Sequence, residues 1–124
     1  MVKLLVIGCG GFIGAIARYG LSGWVSRCAK DFFPAGTLVV NVLGCFAIGL
    51  LMCLVKEKEL LSPHARLFLM AGFLGSFTTF STFGYETFDL LRAGNYHLAI
   101  LNSVANVLLG LGAVSLGWLS ARAF

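Results

Sequence analysis

Charge is the scarcest feature of this chain: only 11% of its 124 residues are Asp, Glu, Lys or Arg, against about a quarter in a typical soluble domain. So little charge does not keep a chain dispersed in water, which excludes an ordinary soluble domain even though the length would suit one. Proline is nearly missing, with two residues beside sixteen glycines. The glycines are scattered through apolar runs, unlike those of a linker or disordered segment. Clustered basic charge is missing too: nine Lys and Arg against five Asp and Glu give +4, but the basic residues stand singly at the ends of apolar runs, which excludes a nucleic-acid-binding face. There is no CxxC pair and no metal-ligand spacing among the four cysteines. Cys9, Cys45 and Cys53 fall inside apolar runs and read as small hydrophobes, with Cys28 alone near a loop. No nucleophile–base pair or complete cofactor fingerprint is present, so the chain is not expected to be an enzyme.

What remains is apolar: 59% of the residues are hydrophobic and the mean hydropathy is +0.94. Four segments match the ~20 residues a helix needs to cross hydrocarbon. They run over about 4–25, 33–55, 66–91 and 98–121. The first is interrupted only by Arg18, and the second stops at the charged turn Lys56-Glu57-Lys58-Glu59. The amino terminus begins as a signal peptide does, but three further apolar segments follow, and it reads as the first membrane helix. Short connections make consecutive helices antiparallel neighbours. The expected architecture is an all-α membrane protein, one four-helix domain over 1–124.

Lys3, Lys56, Lys58, Arg66 and Arg122 fall on one side of the bilayer, and Arg27, Lys30 and Arg92 on the other, with Arg18 inside its segment toward that second side. So small an excess barely sets an orientation. Insertion in both orientations permits an antiparallel two-fold homodimer, and eight helices can leave interfacial passages where four fill their own centre.

The stretch VIGCGGFIG imitates a dinucleotide-binding turn, with Asp31 at about the distance of a ribose-binding acid. The spacing of Gly8, Gly10 and Gly14 is one residue too long, and no strand–helix–strand context follows. Gly10 and Gly14 instead form GxxxG, continued by Ala17 and Leu21, a face for close helix packing. Gly44, Gly49, Gly110 and Gly117 read the same way.

Polar groups kept inside the apolar segments carry the functional signal. Asn41 lies at membrane depth, where its amide either joins helices or offers two donors to a dehydrated anion. Asn102 and Asn106 share a helical face as i and i+4, a spine for a dimer or a polar track. The third segment holds Gly72-Phe73-Leu74-Gly75-Ser76-Phe77-Thr78-Thr79-Phe80-Ser81-Thr82-Phe83-Gly84. Two glycines and a run of hydroxyl and β-branched residues favour a break near the middle of this helix, tolerated in a bilayer only where its backbone groups are satisfied. Phe77, Phe80 and Phe83 recur every three residues, either as aromatic packing or as electropositive ring edges facing an anion path. Glu86 and Asp89 lie near the end of the third segment, so no deep carboxylate supports proton coupling. Arg18 either snorkels to the interface or draws anions into a vestibule.

Three stretches together, Gly10 to Tyr19 (GGFIGAIARY), Val40 to Gly44 (VNVLG) and Gly72 to Phe83 (GFLGSFTTFSTF), resemble the small fluoride channel family, the CrcB or Fluc proteins, and the likeness covers all four segments. The resemblance implies a dual-topology antiparallel homodimer in the inner (plasma) membrane of a bacterium, passively exporting fluoride through two pathways, each lined by both copies. Its partners would be fluoride ion, membrane lipid and a second copy. Asn41 matches the pore asparagine, Phe80 and Phe83 the rings whose edges face fluoride, and Thr79 and Ser81 the hydroxyls of the same motif. Asn102 and Asn106 match polar pore positions of the fourth helix, often hydroxyls in the family. The resemblance also implies a structural Na+ on the dimer axis, bound by backbone carbonyls of Gly75 and Thr78. Two alternatives compete: a four-helix small multidrug exporter, which would need a membrane-buried acid, and a non-conducting assembly subunit, which would leave the aromatic–hydroxyl run without a use.

Overall fold

The computed structural model describes residues 1–29 and 33–123. Lys30, counted above in the charge balance, and Asp31 of the imitated dinucleotide turn lie outside the described residues. The chain forms helix α1 (Val2–Cys28), α2 (Ala35–Lys56), a segmented third span, and α6 (Tyr96–Arg122). The third span, Pro63–Arg92, comprises the turn α3 (Pro63–Arg66), a π-helical run Leu67–Leu74, the turn α4 (Gly75–Phe77) and α5 (Phe80–Arg92). Among the described residues, four helices are long and apolar enough to cross a membrane, so the protein is an all-α, multi-pass membrane protein whose third span is bent near its middle.

Local chemistry sets these boundaries. Ser62 caps α3, its hydroxyl accepting from the Ala65 N–H at 3.2 Å, with Pro63 at the first helical position. Gly94, at φ +76°, closes the turn between α5 and α6, where the Asn95 N–H returns to the Leu90 carbonyl at 2.9 Å. The helices overrun the apolar segments by two or three residues at several ends, because helical hydrogen bonding continues into the interface after hydropathy has fallen.

α2 packs most extensively on α6, and α1 on the π-helical run. Both contacts depend on glycine. A methyl at Gly14 would overlap the Phe73 carbonyl, and a methyl at Gly49 or Gly117 would overlap the backbone of the facing helix at Val114 or Phe46. The small-residue faces therefore act as backbone-to-backbone seams. The wider π-helical turn brings Gly72 against α1, where a side chain would stand 2.6 Å from the Ile7 carbonyl. Val40, Leu74 and Phe77 form the buried centre, with Ala17, Leu21, Ala47, Ile48, Leu51 and Phe73 around them. This core lies beside the bend in the third span and fixes the position of what projects from it.

Candidate functional site at the broken third helix

Helix geometry stops at Thr78 and Thr79, which are extended at φ −81°, ψ 155° and φ −149°, ψ 115°. Such a break strands backbone groups in a medium without water, each costing several kcal/mol if left alone. The sequence supplies partners for several of them. Asn41 on α2 accepts from the Thr79 N–H at 2.9 Å and donates to the Thr79 carbonyl at 3.3 Å, so that its amide stands in for a neighbouring peptide. The Thr78 N–H and hydroxyl both go to the Leu74 carbonyl, at 3.1 and 3.0 Å. Thr79 then caps α5 by accepting from the Thr82 N–H at 3.3 Å, while its hydroxyl donates to the Thr82 hydroxyl at 3.0 Å.

Around this knot the structure brings together most of the residues singled out above. Asn41, Gly75, Thr78, Thr79, Phe80, Phe83 and Asn106 line one open groove of about 460 Å³. Phe80 is 82% exposed, with its ring centroid 5.6 Å from that of Phe83 and the ring planes tilted by 53°. Phe77 departs from this pair: it is buried and stacked on Phe73 at 5.5 Å. The aromatic repeat thus splits, Phe73 and Phe77 to packing and Phe80 and Phe83 to the groove. Ser81 is exposed, its oxygen 3.4 Å from that of Thr79.

Arg18 does not reach this groove. It lines a second cavity of about 350 Å³ with Tyr19, Ser22, Gly23, Thr37, Val40, Thr79 and Thr82. Thr79 borders both cavities, which makes it the one residue of the break that faces the cationic side and the aromatic side together. Asn102 also lies apart from the groove lining, buried at 1% exposure. Its amide donates to the Thr87 hydroxyl at 2.9 Å.

A family comparison draws these positions together: residues 5–118 match the family described as CrcB-like protein, Camphor Resistance (CrcB). The chain belongs to the CrcB family. Relatives match nearly all of its length. A protein of Methanosarcina acetivorans named Fluoride-specific ion channel FluC 1 is 50% identical over 121 residues, covering 98% of this chain and 92% of the relative. Proteins named Fluoride-specific ion channel FluC from Dehalococcoides mccartyi and Azobacteroides pseudotrichonymphae are 48% and 40% identical, over 94% and 98% of this chain and 90% and 98% of their own lengths. Relatives named as ion channels agree with the reading that this CrcB-family chain is not an enzyme. With an archaeon among them, the expectation of a bacterial membrane narrows to that of a multi-pass membrane protein.

One expectation is corrected. The structural sodium assigned to Gly75 and Thr78, and metal binding with it, is not upheld: no group of three or more His, Cys, Asp or Glu among the described residues could hold a metal ion. The physical reason lies in the break itself. The Asn41 amide engages the Thr79 N–H and carbonyl, and the Leu74 carbonyl takes the Thr78 N–H and hydroxyl, so protein groups satisfy this part of the break without an ion.

Two polar contacts escaped the sequence reading. Thr87 follows Phe80 and Phe83 at helical spacing, and its hydroxyl donates to the Phe83 carbonyl at 2.8 Å; the shared face with the two rings was its only signal. Thr37 donates to Glu86 Oε1 at 2.8 Å, and Glu86 Oε2 is buried without a partner among the described residues. A threonine and a glutamate 49 positions apart carry no sequence signal of their meeting.

Proposed function

We propose that this chain is a passive, fluoride-selective channel, a single four-helix channel domain over 1–124 that works as an antiparallel homodimer with two pathways. One observation carries the reading: Thr79 and the rings of Phe80 and Phe83 line an open groove beside the helix break, with the Ser81 oxygen 3.4 Å from that of Thr79. The names of the relatives support fluoride as the ion.

Fluoride is small and tightly hydrated, so a pathway must replace its lost water with donors and oriented dipoles. Ring edges are electropositive and bind weakly, which suits an ion that must also leave. Ser81 offers a hydroxyl beside them, 3.4 Å from that of Thr79, whose own proton goes to Thr82. Asn41 contributes differently from a simple donor pair, since both of its N–H groups are engaged, one on the Thr79 carbonyl and one on Asn106 Oδ1 at 3.1 Å. Its part is to hold the break open to the groove and to bias that end of the passage with its dipole. Asn106 stands at the groove wall and Asn102 behind it. Arg18 gives the second cavity its positive charge and concentrates anions there, as a vestibule.

The dimer follows from what a lone chain leaves uncovered. A groove open on one side is half of a passage, and the exposed hydroxyl of Ser81 meets polar company in a second copy rather than in acyl chains. Near-balanced Lys and Arg permit the two copies to insert oppositely. Placed in the cytoplasmic membrane of a prokaryotic cell, such a channel releases cytoplasmic fluoride down its gradient. Purified protein in lipid vesicles tests the reading with a fluoride-selective electrode: fluoride is expected to leave without ATP or an imposed proton gradient. Equal movement of chloride, or no fluoride movement from correctly folded dimer, overturns it.

A further inference from the structure

The amides around the break form more than a set of local contacts. The Thr79 N–H donates to Asn41 Oδ1 at 2.9 Å, and Asn41 Nδ2 donates to Asn106 Oδ1 at 3.1 Å. Asn106 Nδ2 donates to Asn102 Oδ1 at 3.1 Å and to the Asn102 carbonyl at 3.0 Å. Asn102 Nδ2 donates to the Thr87 hydroxyl at 2.9 Å, and that hydroxyl donates to the Phe83 carbonyl at 2.8 Å. Every donor points the same way, from the backbone N–H at the break to the backbone carbonyl of Phe83.

The sense of this chain is fixed at both ends. A backbone N–H can only donate and a backbone carbonyl can only accept, so each amide between them has one orientation that satisfies its neighbours. Turning any one amide over would set two acceptors or two donors face to face. The chain crosses α5, α6 and α2 and returns to the residue that caps α5, with Asn102 fully buried along the way. Low local dielectric and a shared direction strengthen such bonds together.

We infer that Thr87 and Asn102, neither of them on the groove, are positioning residues that act through Asn106 to hold Asn41 with its Oδ1 against the Thr79 N–H. They thereby fix the attitude of the break that carries Phe80. This deepens the channel reading and rests on it. Thr87 is the informative member because it lines none of the cavities bordered by Thr79, so any effect on conduction travels through the amides.

The test compares fluoride release from vesicles holding equal amounts of folded dimer. Thr87→Val keeps the shape and removes the hydroxyl, and is expected to slow fluoride release about threefold to tenfold, the size of one net hydrogen bond. Thr87→Ser restores the hydroxyl and is expected to return release to within about twofold of the original. On an Asn106→Leu background, where the chain is already cut, Thr87→Val is expected to add nothing. Wild-type release from Thr87→Val, or a loss that Thr87→Ser does not rescue, overturns the inference, as does full additivity with Asn106→Leu. If Asn106→Leu does not fold, the valine and serine pair decides alone. A wild-type protein that moves no fluoride refutes the channel reading itself, a result distinct from a conducting protein indifferent to Thr87.

Discussion

Asn41 is bound through both ends of its amide, and this makes substitutions there sharply graded. Leucine of similar volume leaves the Thr79 N–H and carbonyl without the partners they have now, at about 1–3 kcal/mol for a buried unsatisfied group. Asn41→Leu is therefore expected to lower the unfolding midpoint of the detergent-solubilised protein and to abolish most fluoride release. Aspartate keeps the acceptor for the Thr79 N–H but loses both donations, placing a carboxylate oxygen against the Thr79 carbonyl and Asn106 Oδ1. Asn41→Asp should slow anion release at least as much as leucine, since it adds negative charge beside the groove; faster release from aspartate would contradict this. The depth of Asn41 was legible in the sequence, because an amide in a charge-free apolar run has to find company. Its partners were not, since donors spent on Thr79 and Asn106 depend on how three helices are rotated against one another.

At the scale of the element, close backbone approach governs helix placement. A methyl at Gly14 overlaps the Phe73 carbonyl, whereas one at Gly8 meets nothing within 4 Å. Gly14→Ala is expected to destabilise by about 1–3 kcal/mol through overpacking, while Gly8→Ala stays neutral or gains helix propensity. Thermal unfolding of the two variants checks this, and equal midpoints would contradict the packing account. The GxxxG pattern gave this seam away in the sequence, because its spacing needs only one helix. The break was similarly legible from residue types alone, since hydroxyl and glycine residues at 72–84 weaken helix while offering local bonds. The π-helical run was not: hydropathy shows that 67–74 is apolar but is blind to one extra residue per turn. The three-residue repeat by itself did not divide the phenylalanines, because it continues evenly through a break that turns Phe80 away from Phe77; only the family resemblance had singled out Phe80 and Phe83.

For the whole molecule, the proposed antiparallel pairing rests on what the lone chain leaves exposed. Phe80 lies 82% exposed at the bend of a membrane-spanning helix, beside exposed Ser81, and with so weak a charge imbalance each chain has little reason to prefer one orientation. A reporter fused to the carboxyl terminus is expected to register on both sides of the membrane, and a signal confined to one side would rule out the antiparallel pairing. Four spans could be counted from hydropathy because length and apolarity suffice for that, yet the sequence could not reveal that the Asn41 amide would engage both polar groups of the Thr79 backbone. The expected sodium was mistaken on that point. It assigned the backbone carbonyls of Gly75 and Thr78 to a cation, whereas no group of three or more His, Cys, Asp or Glu among the described residues could hold a metal ion and the Asn41 amide engages the Thr79 N–H and carbonyl at the break. The central claim, that anions pass along the ring edges at the break, is tested most directly by fluoride release from vesicles carrying Phe80→Ile or Phe83→Ile. Isoleucine retains most of the apolar volume and removes the oriented edge, so release is expected to fall by about tenfold or more with the dimer intact. Undiminished release in both variants would contradict the account.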